Sequence, residues 1–117
     1  MAWEGIYAAY MTASEGQGFS MFVFMGGRIV GADPFGVVYD GSYQTQKDGN
    51  LVGQVTVTVP PGVLVIQGAT PGPDGMTYQV PLNFETDALG LDYITLETPL
   101  GPVNLRMTKI RELEREA

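Results

Sequence analysis

Along most of this 117-residue chain the apolar residues recur at every second position, the period of a half-buried β-strand. In "GQVTVTVP", Val55, Val57 and Val59 face one way while Gln54, Thr56 and Thr58 face the other. "TYQVPLNFE" repeats the pattern, with Tyr78, Val80, Leu82 and Phe84 opposite Thr77, Gln79, Asn83 and Glu85. "VNLRMT" does so once more through Val103, Leu105 and Met107.

Turn residues divide these runs at hairpin intervals: "MGGR" at 25–28, "KDGN" at 47–50, "PPG" at 60–62, "PGPDG" at 71–75, "LGL" at 89–91 and "PLGP" at 99–102. About eight strands are predicted, over 4–12, 18–25, 28–33, 37–46, 51–59, 63–69, 76–85 and 92–110, the last interrupted by "PLGP" and so with room for two. Short connections favour antiparallel neighbours in chain order. Such a meander leaves two open edges unless it closes on itself, which predicts an all-β fold: a small closed up-and-down antiparallel barrel. Eight strands enclose an interior that side chains fill or that holds one small ligand. The alternation alone leaves both outcomes open. The candidate lining is Val55, Val57, Val59, Tyr78, Val80, Leu82 and Phe84, joined by Tyr39 and Tyr43 of "VVYDGSY". There Gly41 sits between the two tyrosines, leaving space for a neighbouring aromatic ring or for part of a ligand cavity. Upstream, Asp33 before Pro34 is expected to cap the turn that ends the preceding strand.

Two stretches depart from the pattern. In "GFSMFVFMGG", Phe19, Met21, Val23 and Met25 share one face and Phe22 and Phe24 the other, so both faces are apolar. Phe22 and Phe24 are the candidates for a face covered by a loop or by a second subunit. In "TKIRELEREA" only Ile110 and Leu113 are apolar at helical spacing, which predicts a charged C-terminal helix or tail over 109–117 appended to a single barrel domain over 1–108.

Composition narrows the chemistry. No cysteine or histidine occurs, which removes disulfides, thiolate metal sites and the usual activated nucleophiles. Ser14, Ser20 and Ser42 have no histidine to activate them, and the acids Asp33, Asp40, Glu85, Asp87 and Asp92 lie at or near turns, where aspartate bonds its own backbone. No catalytic residue, metal ligand or cofactor is assigned. Thirteen acidic residues against six basic ones give a net charge of −7. Residues 1–105 hold ten acidic and two basic groups, or −8. Such a surface repels phosphate backbones, so no direct nucleic-acid partner is expected, and a basic protein is the complementary one. "MAWEGIYAAYMTASEG" carries neither a basic leader nor an unbroken apolar span, so a cytoplasmic protein without a membrane segment is expected. "GIY" at 5–7 also opens GIY-YIG nucleases, but no Tyr-Ile-Gly follows.

The ordered set "GIY" (5–7), "GQG" (16–18), "GGRIVGAD" (26–33) and "VYDGSY" (38–43) resembles the GrlR family of bacterial regulators, most closely over residues 5–43. The resemblance implies an eight-stranded, lipocalin-like barrel that forms a homodimer. It also implies negative regulation of type III secretion genes, by binding a transcriptional activator rather than DNA. In that family the loop after the Tyr-x-Gly strand carries acidic residues that contact the partner. Here the stretch reads "QTQKDGNL", which makes Lys47 and Asp48 the candidate partner loop. The expectation is a non-enzymatic, protein-binding regulatory barrel; the alternative is a carrier or sensor of a small apolar ligand.

Overall fold

The computed structural model describes residues 3–90 and 93–113. It is all-β: strands β1 (Gly5–Ala13), β2 (Gly16–Met25), β3 (Arg28–Ala32), β4 (Val38–Thr45), β5 (Leu51–Val59), β6 (Met76–Phe84), β7 (Ile94–Leu96) and β8 (Val103–Arg111), with one short 3-10 turn at Ala88–Gly90. Every pairing is antiparallel. The spatial order is β6-β5-β4-β3-β2-β1-β8-β7, a meander that curls into a nearly closed barrel when β8 returns to pair with β1. No helix among the described residues is long and apolar enough to cross a membrane.

The registers put one alternating set inside. Tyr7 lies opposite Phe22, Phe24 opposite Ile29, Gly31 opposite Tyr39, Gly41 opposite Val55, and Val55 opposite Val80. All of these point inward, because a side-chain period of two keeps one parity on one face across the whole ladder. This settles the ambiguous second strand. Phe22 and Phe24 are not an outer cover or dimer face: Phe24 is buried against the rings of Tyr7 and Tyr43, and Phe22 packs on Tyr39 with ring centroids 4.9 Å apart. Phe19, Met21 and Met25 are the exposed set.

Two other expectations are corrected. Residues 63–69 form no strand. β5 already has β4 and β6 on its two edges, and Pro60 and Pro61 bring no N–H to a ladder. "GVLVIQG" instead satisfies its backbone by local turns, Val65 N–H donating to Ala69 O at 3.0 Å and Gly68 N–H to Val65 O at 2.9 Å. The strand count stays at eight because "PLGP" separates β7 from β8: Thr98 Oγ1 accepts from the Leu100 N–H and donates to Gly101 O, closing the turn. Finally, Lys109, Ile110 and Arg111 continue β8 rather than beginning a helix or tail. Pairing with Ile6 and Tyr7 of β1 supplies hydrogen bonds that outweigh weak local helix propensity. The last four residues of that expected segment lie outside the described residues.

One end of the barrel is sealed by side chains. Trp3 is buried against Phe84, ring centroids 6.0 Å apart, and its indole N–H donates to Gly49 O at 2.9 Å. The Tyr7 hydroxyl donates to Trp3 O at 2.7 Å. Glu4, also buried, accepts from the Gly26 N–H at 2.8 Å, pinning the N-terminal segment to the β2–β3 turn.

Candidate functional site: an interior cavity beneath a strap

The opposite end is closed differently. Between β5 and β6, residues 60–72 cross the barrel mouth as a strap. Ile66 O accepts the Glu15 N–H at 2.9 Å, tying the strap to the β1–β2 turn. Gln67 Nε2 donates to Thr98 Oγ1 at 3.2 Å, tying it to the β7–β8 turn. Val63 and Val65 turn down into the core, while Leu64 stays largely exposed.

Beneath the strap lies a cavity of about 200 Å³. Seven of the nine residues expected to line an interior border it: Tyr39, Val55, Val57, Tyr78, Val80, Leu82 and Phe84. Tyr43 and Val59 do not; both are buried as packing, Tyr43 under Phe24 and Val59 at the end of β5 where the strap begins. The wall is completed by residues that alternation singled out only in part. Phe22, Phe24 and Ile29 come from β2 and β3, Leu105 and Met107 from β8, and Val63, Val65 and Gln67 from the strap.

Close backbone approach makes room for the rings. A Cβ on Gly31 would stand 2.5 Å from the Phe22 ring, and one on Gly41 would collide with the Gln54 carbonyl oxygen. Because these two positions carry no side chain, Phe22 lies flat over β3 against Tyr39 and β4 presses onto β5. The space beside Gly41 is taken by β5 itself, the Gln54 carbonyl oxygen and Val55, rather than by an aromatic ring; the ring lies instead over Gly31, where Phe22 packs on Tyr39.

Polar groups enter this wall sparingly. The fully buried Ser20 donates to the Tyr39 hydroxyl at 3.1 Å. Burial pushes the Tyr39 phenol up to about 12, with the Ser20 bond pulling the other way. Burial likewise raises Tyr78, partly offset by its bond to Gln67, and raises Tyr7 well beyond the usual phenol range, with the Glu112 charge adding to it. The phenols of the wall are therefore neutral hydrogen-bonding groups at any physiological pH. Ser20 is the position sequence reading missed. Its signal was a lone hydroxyl residue in the inward set Gly18, Ser20, Phe22, Phe24.

Asp33 borders the mouth, and its carboxylate does the capping expected of it: Oδ1 accepts from the Phe35 N–H at 2.8 Å and the Val37 N–H at 3.0 Å. Asp40 points outward from β4, and Glu85 and Asp87 are exposed, so none of these acids converges on the cavity. Asp92 lies outside the described residues. No group of three or more possible metal ligands occurs among the described residues. Lys47 and Asp48 are exposed in the β4–β5 turn, away from the cavity. There Asp48 Oδ1 accepts from the Asn50 N–H at 3.0 Å, and its carbonyl accepts from the Thr86 hydroxyl at 2.9 Å.

An outer groove bordered by Tyr10, Tyr93, Asn104 and Arg106 shares Met11, Gln17, Gly18, Phe19 and Phe35 with the cavity. Phe35 at its lip is 73% exposed, the most exposed large apolar side chain described. Set beside known proteins, the chain matches no family model, no curated protein and no solved structure.

Proposed function

We propose that this chain is a non-enzymatic binding barrel that takes a small, largely apolar ligand into the cavity beneath the strap. The cavity itself carries the reading. Apolar walls around that volume lose contact with partner atoms while only water faces them. A matching occupant recovers that loss. Among the described residues the wall offers apolar contacts, neutral hydroxyls and the single carboxylate of Asp33, which suits retention of a molecule rather than its conversion.

Titration with toluene tests this. Methyl resonances of Val55, Val57, Val80, Leu82 and Met107 are expected to shift together. At ten times Kd the domain gains about 1.4 kcal/mol, or roughly 5 °C in Tm. Saturating toluene that moves neither resonances nor Tm would remove the reading.

A second reading, a GrlR-like regulator that dimerises and sequesters a basic transcriptional activator, is supported by the outer face of β1–β3. Tyr10 and Phe19 stack there with centroids 5.2 Å apart, and Met21, Met25 and Val30 are exposed beside them. The net charge of −7 is complementary to a basic partner. Sedimentation at micromolar concentration is expected to give a dimer that Met21→Lys converts to a monomer. A monomer throughout would count against it.

A further inference from the structure

We infer that the ligand of this cavity is an uncharged ring compound of about ten heavy atoms with one hydrogen-bonding hydroxyl or N–H; this rests on the reading of the cavity as a ligand site. Size comes first. A cavity of about 150 Å³ accommodates benzene, so about 200 Å³ admits one substituted ring or a small fused pair and excludes long acyl chains.

Charge comes second. Among the described residues no lysine or arginine borders the cavity. Arg106 borders only the outer groove, and the one carboxylate at the mouth, Asp33, repels an anion. A carboxylate inside would lose its water and meet no cation, the most unfavourable way to bury a charge. An ammonium carried past Asp33 into the chamber meets no further carboxylate among the described wall residues.

Third, the wall supplies both recognition elements of a polar ring. Phe22, Phe24, Phe84, Tyr39 and Tyr78 present faces and edges to an aromatic guest. The Tyr39 oxygen accepts from Ser20, which sits behind the wall, and this leaves the phenolic hydrogen to donate to the ligand; Tyr78 is already engaged by Gln67, so Tyr39 is the phenol with a hydrogen to offer.

Three probes of one shape separate these statements: toluene, p-cresol and p-toluate, titrated at pH 7 by methyl shifts and calorimetry. The expected order is p-cresol about three- to tenfold tighter than toluene, the return of one net hydrogen bond. p-Toluate should be at least roughly 100-fold weaker than p-cresol. In the double variant Ser20→Ala, Tyr39→Phe, which leaves no orphaned hydroxyl, the p-cresol to toluene affinity ratio should fall to about one. Toluene failing to bind would sink the cavity reading and this inference with it. Toluene binding with p-toluate within threefold of p-cresol, or an affinity ratio untouched by the double variant, would overturn the inference alone.

Discussion

Gly41→Val is expected to cost about 4 kcal/mol of unfolding free energy, enough to lower Tm by some 15–30 °C in a domain of this size. A Cβ at this position would meet the Gln54 carbonyl oxygen and would stand 3.1 Å from the Val55 Cα, both backbone atoms of the neighbouring strand. A flexible side chain could swing away from such a clash; a paired strand cannot. Relief requires β4 and β5 to move apart where Gly41 faces Val55, which combines overpacking of about 1–3 kcal/mol with weakened ladder hydrogen bonds of about 1 kcal/mol each. Gly72→Ala is the control, since nothing lies within 4 Å of its Cβ position, and it should change stability by no more than about 0.5 kcal/mol. Urea melts with an unchanged m-value would report the difference directly. A Gly41→Val protein within 1 kcal/mol of the parent would mean that β4 and β5 are not held this close.

The same glycine shows how far the sequence could be read. Alternation told which residues share a face wherever one face is polar: Val55, Val57 and Val59 against Gln54, Thr56 and Thr58, or Tyr39, Gly41 and Tyr43 in one line. That is enough for an all-β barrel, because register and face follow from burial of one side. In "SMFVFM" both faces are apolar, so parity carries no direction. Only the neighbours decide it: Tyr7 and Tyr43 close on Phe24, and Gly31 opens a place for Phe22. The run "GVLVIQG" has strand composition, yet β5 before it is already paired on both edges, and the run's hydrogen bonds are taken by local turns and by anchors to Glu15 and Thr98. At the other extreme, "TKIR" lacks an apolar stripe and still forms strand because β1 offers its edge. Partner availability is a property of the whole ladder and leaves no mark in a local window.

The candidate site divides along the same line. Most of its sheet-borne wall was legible in the alternation; its roof was not. Val63, Val65 and Gln67 enter the cavity wall because two backbone and side-chain anchors, at Glu15 and Thr98, draw the strap across the mouth. Whether the interior is filled or hollow depends on the sum of all those volumes.

Val57→Trp gives that sum an experimental sign. Val57 lies between Tyr39 and Tyr78 in the ladder, in the middle of the cavity wall. An indole there would occupy the place of the ligand's ring, with Tyr39 and Tyr78 as neighbours. If the space is real, the tryptophan finds partner atoms that valine leaves unmet, and Tm should hold or rise. Toluene affinity should fall at least about 100-fold, the loss of nearly all of a ring's burial. Val57→Ala enlarges the same space and should do the reverse, costing about 2 kcal/mol of stability while still admitting toluene. A fully packed barrel makes the opposite prediction for tryptophan. Overpacking would cost about 1–3 kcal/mol or more, with no toluene binding in the parent to lose. Thermal melts of the two variants with and without toluene distinguish the cases. A destabilised Val57→Trp protein beside a parent indifferent to toluene would identify the interior as plain core and end the ligand-binding interpretation.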